Sequence, residues 1–92
     1  MQIKDAISTA KNYVRDIMAD EEPINIGLEE IEFNENNNEW EVTIGFSRPW
    51  NSVRNAMSTI TGESAPKRAY RVFFIKDDTG EVRAMKRTDF GG

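Results

Sequence analysis

The chain has 92 residues, 38% hydrophobic and 30% charged, with twelve Lys and Arg against sixteen Asp and Glu for a net charge of −4. That length supports one domain with one core, and the absence of Cys and His excludes disulfides, thiolate or imidazole metal sites and every Cys- or His-dependent nucleophile. The charge is lopsided: residues 1–47 hold eleven acids and three bases, and residues 48–92 hold nine bases and five acids. Such a split either forms ion pairs across one sheet or presents an acidic edge to a basic partner.

Ile3, Ala6, Ile7, Ala10, Tyr13, Val14, Ile17 and Met18 recur at helical spacing, with Lys4, Asp5, Lys11, Asn12, Arg15 and Asp16 opposite them. The spacing predicts an amphipathic helix over residues 3–19. Pro23 ends it, because it lacks an amide donor and keeps Glu22 out of the right-handed helical region. The acids beside the helix C-terminus oppose the dipole and favour fraying. The opening six residues contain no continuous apolar run, so neither a signal peptide nor a membrane span is expected. With the missing cysteines, this points to a cytoplasmic protein of bacterial or phage-like type.

Ile24, Ile26 and Leu28 alternate and then shift parity to Ile31 and Phe33, whereas Trp40, Val42, Ile44 and Phe46 alternate without a break. Two strands follow, the first with a bulge near Glu29-Glu30, joined by a turn over the Asn-rich residues 34–39. Residues 48–66 form a connection longer than a compact domain usually leaves without structure of its own. Within it Val53, Met57 and Ile60 repeat at helical spacing, Asn51 or Ser52 could cap a short helix, and Gly62 could end it. Residues 69–86 read as a hairpin turning at Asp78-Thr79-Gly80, with Gly80 supplying positive φ. Tyr70, Val72 and Phe74 lie on one face of that hairpin, and Phe73, Ile75 and Met85 on the other. A single helix covers only one of them.

The expected architecture is therefore α+β: one N-terminal helix packed on a four-stranded antiparallel meander over residues 1–87, with a flexible tail at 88–92. The terminal Gly91-Gly92 invites comparison with conjugated modifiers, but those begin with a hairpin and this chain begins with the helix.

Paired carboxylates occur at Glu29-Glu30 and Asp77-Asp78 without a phosphate loop or basic catalytic partner nearby, and Asp77-Asp78-Thr79-Gly80-Glu81 lacks the spacing of a calcium loop. No enzyme activity, cofactor or metal is expected. Arg48, Trp50, Arg68 and Arg71 interleave cations with aromatics in the manner of single-strand nucleic-acid binders, but the acidic chain argues against that use. The partner expected is another protein or a second copy of this chain. Its first-choice surface is Arg48, Trp50, Val53, Met57 and Ile60 with Phe73, Ile75 and Met85. The second choice is the acidic set Glu30, Glu32, Glu39 and Glu41.

The helix beginning Ile3-Lys4-Asp5-Ala6-Ile7, the strand Trp40-Glu41-Val42-Thr43-Ile44 and the ending Tyr70-Arg71-Val72-Phe73-Phe74-Ile75-Lys76-Asp77-Asp78-Thr79-Gly80-Glu81-Val82 resemble a PepSY-type domain. That resemblance implies an inhibitor-like role, the restraint of a peptidase. The layout is also similar to small cytoplasmic immunity proteins of bacterial polymorphic-toxin systems, which implies neutralisation of a basic toxin through the acidic strands. Both resemblances imply protein binding and neither supplies a catalytic residue.

Overall fold

The computed structural model describes residues 1–48 and 68–88. Helix α1 spans Ile3–Ile17 and is followed by a single tighter turn at Ala19–Glu21. Its first turn is closed by the Asp5 carboxylate, which accepts the Gln2 backbone N–H at 3.0 Å and places a negative charge at the positive end of the helix dipole. Ala6, Ala10, Val14 and Met18 are its buried row. A row at i, i+4 slants across the helix axis, so the line of contact with the sheet passes between Ile3 and Ile17. Both were expected in the apolar stripe, and both are exposed. The chain leaves the helix where the Pro23 argument places it: Glu22 adopts φ 50 and ψ 60.

Four strands follow, β1 (Ile24–Asn34), β2 (Glu39–Ser47), β3 (Ala69–Lys76) and β4 (Val82–Arg87), paired antiparallel in the order β1-β2-β3-β4. This is the predicted meander, and α1 packs across it. The parity shift in β1 is a bulge: Leu28 pairs with Ile44 and Glu30 with Thr43, which leaves Glu29 as the extra residue. A second irregularity lies between Ile24 and Gly27, where Asn25 has φ 54. In the β1–β2 turn, the Asn34 side-chain oxygen accepts the N–H groups of Asn36 and Asn37 at 3.0 and 3.2 Å, and Asn38 takes φ 54. The Asn run is thus turn chemistry. In the β3–β4 turn Gly80 has φ 74 and donates its N–H to the Lys76 carbonyl at 2.8 Å.

Direct cross-strand partners share a face of a sheet, so the register sorts the side chains. The face under α1 carries Val42, Ile44 and Phe46 from β2 and Phe73 and Ile75 from β3, all with 0% exposure. The Tyr13 ring meets Phe73 edge-on at 5.7 Å. At the rim Phe33 leans on Trp40 with centroids 4.9 Å apart, and the Trp40 indole N–H donates to Asp77 Oδ1 at 2.9 Å. Asp77 thereby holds the rim of the core. No helix among the described residues is long and apolar enough to cross a membrane.

Candidate protein interface

The face of the sheet opposite α1 is built by the other parity. β1 contributes Glu30 and Glu32, and β2 contributes Glu39, Glu41, Thr43 and Gly45. β3 contributes Tyr70, Val72, Phe74 and Lys76, and β4 contributes Ala84 and Lys86. Cross-strand pairs arrange these in layers: Glu30, Thr43, Val72 and Lys86 form one, and Glu32, Glu41, Phe74 and Ala84 the next. The charges on this face are therefore partitioned laterally, with Glu30, Glu32, Glu39 and Glu41 on β1–β2 and Lys76, Arg83 and Lys86 on β3–β4.

Within this face Arg83 crosses β3 to reach Glu39. Its Nη2 donates to Glu39 Oε1 at 3.0 Å and its Nε donates to Oε2, a two-pronged pair. Glu39 is only 3% exposed, and the Arg83 hydrogen bonds hold its carboxyl below the ordinary value of 4.5 despite desolvation that acts the other way. The same bonds raise the Arg83 guanidinium. Arg83 and Lys86 also lie over the Phe74 ring at 5.1 and 5.6 Å, a cation–aromatic arrangement. At the far end of the face, Arg68 Nη2 donates to the Asn25 carbonyl at 3.1 Å and to Glu29 Oε2 at 3.4 Å. Gly45 makes this crossing possible, since a Cβ there would stand 2.7 Å from Glu29 Oε2 and 2.9 Å from Arg68 Nη2.

One pair on this face sets like charges together: Glu32 stands directly across from Glu41, whose carboxylate also acts on the Arg83 guanidinium. Glu41 accepts the Asn34 side-chain amide at 3.0 Å. The two glutamates, with Glu35, Phe33, Asn34 and Asn36, line an open groove of about 360 Å³ at the β1–β2 end of the sheet. Among the described residues no His, Cys, Asp and Glu cluster is arranged to hold a metal ion.

The structure redistributes the residues expected from sequence. Glu30, Glu32, Glu39 and Glu41 do come together on one face. Of the first-choice surface, Phe73 and Ile75 are fully buried under α1, and Met85 is half-buried against the same core. They are core and not contact surface, because α1 covers their parity and leaves Tyr70, Val72 and Phe74 on the other side. Arg48 donates to Glu21 Oε1 at 2.7 Å on the helix side of the sheet. Trp50, Val53, Met57 and Ile60 lie outside the described residues, as do the short helix expected within 48–66 and residues 89–92 of the expected tail. Thr88, placed in that tail by sequence, donates its backbone N–H to the Tyr70 carbonyl at 3.3 Å.

The basic set is divided. Arg48 and Arg71 sit over the Phe46 ring at 5.8 and 5.7 Å on the α1 side, whereas Arg68 reaches Glu29 on the opposite side. Burial, and then the charges of Arg48 and Arg87, push the Arg71 guanidinium below its ordinary value. Sequence reasoning did not single out Phe74, Arg83 and Lys86. The signal is the parity of Tyr70, Val72 and Phe74, which the sequence separates from Phe73, Ile75 and Met85 without saying which set α1 covers.

No protein-family model, no curated protein and no solved structure matches this chain.

Proposed function

We propose that this chain is a non-enzymatic protein-binding module, acting in the cytoplasm, whose contact surface is the acidic β1–β2 half of the sheet face opposite α1. The observation that carries the reading is the Glu32 to Glu41 pair. Like charges directly opposite each other on adjacent strands weaken a sheet, so the arrangement serves something other than the fold, and a basic protein surface is the partner that relieves it. Glu30 on the same face extends the acidic patch, while Glu39 is neutralised by Arg83 and supports the patch from within. Among the roles implied by resemblance, neutralisation of a basic protein, as by an immunity protein, uses this surface directly. The PepSY-type role of restraining a peptidase draws on no residue brought together here. Single-stranded nucleic acid is disfavoured by the placement of Arg68 and Arg71 on opposite faces and by the acids beside Arg48 and Arg68.

The test is affinity capture from host lysate at low and high salt, with the wild-type chain beside Glu30→Gln/Glu32→Gln/Glu41→Gln. A protein partner released by salt and lost with the triple variant is the expected result. Capture that is indifferent to both would overturn the acidic-face reading.

A further inference from the structure

We propose that the sheet face opposite α1 binds a second copy of this chain, related by a two-fold axis that runs parallel to the strands between β2 and β3. The proposal rests on the reading above and names the partner of that same surface. Closed two-fold dimers use one self-complementary patch, and the register shows how this patch complements itself. Rotation about an axis parallel to the strands lays β1 over β4 of the second copy and β2 over β3. The strand order thus brings the acidic half onto the basic half in both contacts. In the first layer Glu30 meets Lys86 of the second copy, beside the half-buried Val72. In the next, Glu32 meets the Ala84 position beside Arg83, and Glu41 lies against Phe74 with its two cations. An axis perpendicular to the strands would instead stack β1 on β1, acid on acid, so the charge partition selects one of the two face-to-face arrangements.

Magnitudes say what kind of dimer this is. Four strands spaced about 4.8 Å apart are about 19 Å wide, and eight residues at about 3.3 Å each extend about 26 Å, which gives a face of about 500 Å² per copy. The total of about 1,000 Å² lies at the lower bound of specific interfaces. Charged side chains ring a short apolar strip of Val72 and Phe74, so the association is weak, reversible and governed by salt.

The experiment is sedimentation of the whole chain at low salt and at about 1 M salt, where the Debye length falls to about 3 Å. It compares wild type, Glu30→Lys, Lys86→Glu and an equimolar mixture of the two variants. Both positions are exposed and neither belongs to the Glu39–Arg83 pair, and far-UV circular dichroism checks that each variant is folded. Wild type is expected to reach twice the chain mass at low salt and return to the monomer mass at high salt. Each variant alone should stay monomeric, because both of its contacts set like charges together, and the mixture should recover the dimer mass, because each contact is again of opposite sign. A wild type that remains monomeric up to its solubility limit, or a mixture no larger than its components, would overturn the dimer. Salt-sensitive capture of a different protein in that case leaves the acidic interface standing with a heterologous partner. Loss of both results removes the interface reading itself.

Discussion

Replacing Glu32 by Gln is expected to stabilise the fold while weakening whatever binds the face opposite α1. Glu32 and Glu41 are direct cross-strand partners, which sets their Cβ atoms about 5 Å apart and their carboxylates, splayed outward, about 6 Å apart. Glu32 is exposed and Glu41 half-buried, and two unit charges about 6 Å apart repel by about 0.7 kcal/mol in water. Screening over a Debye length of about 8 Å at physiological salt cuts that to about 0.3 kcal/mol. Gln keeps the length and shape of the side chain, so the charge is the main thing removed. For a domain of this size 1 kcal/mol corresponds to about 4–8 °C in Tm, so Glu32→Gln should raise Tm by about 3–5 °C at low salt and by about 1–2 °C near physiological salt. The assay is thermal unfolding followed by circular dichroism at several ionic strengths, with Glu41→Gln and the double variant completing a cycle. Because the second charge removed has nothing left to repel, the two gains should be less than additive. A Glu32→Gln variant that is no more stable than wild type at low salt, or whose gain does not shrink with salt, would refute the claim that this pair is strained.

Three further outcomes follow from the packing. Phe73→Ala, at a site with 0% exposure and an edge-on contact to Tyr13, should cost about 3–5 kcal/mol in denaturant unfolding, a large share of a small domain's stability; a loss under about 1 kcal/mol would contradict its place in the core. Gly80→Ala, at φ 74, should cost about 1–2 kcal/mol in the same measurement; an unchanged stability would contradict the left-handed backbone at this turn. Because Arg83 holds the Glu39 carboxyl below its ordinary 4.5, that pair's contribution is complete above that pH and is lost as pH falls through the lower folded-state value. Stability measured against pH should therefore lose part of its acid limb in Glu39→Gln, and limbs parallel to those of wild type would count against the pair.

The fold was legible in the sequence because each of its elements is specified locally. Pro23 and the slanted row of Ala6, Ala10 and Val14 define the helix and its end, the parity shift at Glu29-Glu30 marks the bulge, and Gly80 and Asn38 sit where positive φ is needed. The site was less legible because it depends on which parity of β3 the helix covers. Alternation alone separates Tyr70, Val72 and Phe74 from Phe73, Ile75 and Met85, but both sets are apolar, and hydrophobicity does not say which one faces inward. The register to β2 decides it: Phe73 pairs with Val42 and Ile75 with Trp40, the face on which β2 is apolar. Arg83 was overlooked for a related reason, since its bond to Glu39 spans an intervening strand and has no sequence-local trace.

The placement of charge on the face opposite α1 also bears on why the two halves do not simply neutralise each other. Strands are spaced about 4.8 Å apart, so β1 and β4 are separated by about 14 Å, well beyond a Debye length of about 8 Å at physiological salt. Lys86 on β4 therefore gives little relief to Glu30 and Glu32 on β1. An arginine is long enough to bridge two strand spacings, and Arg83 does so to reach Glu39 on β2, but no side chain bridges three. Among the described residues, the outer charges Glu30 and Lys86 of this meander therefore do not reach each other within one copy, however the side chains rotate. Bringing a second face of the same kind over the first, with β1 above β4, replaces a separation of about 14 Å by that of two packed sheets, about 10 Å between backbones with the side chains meeting in between. The strand order that leaves Glu30 and Lys86 apart in one copy is the order that would bring them together in the proposed pair.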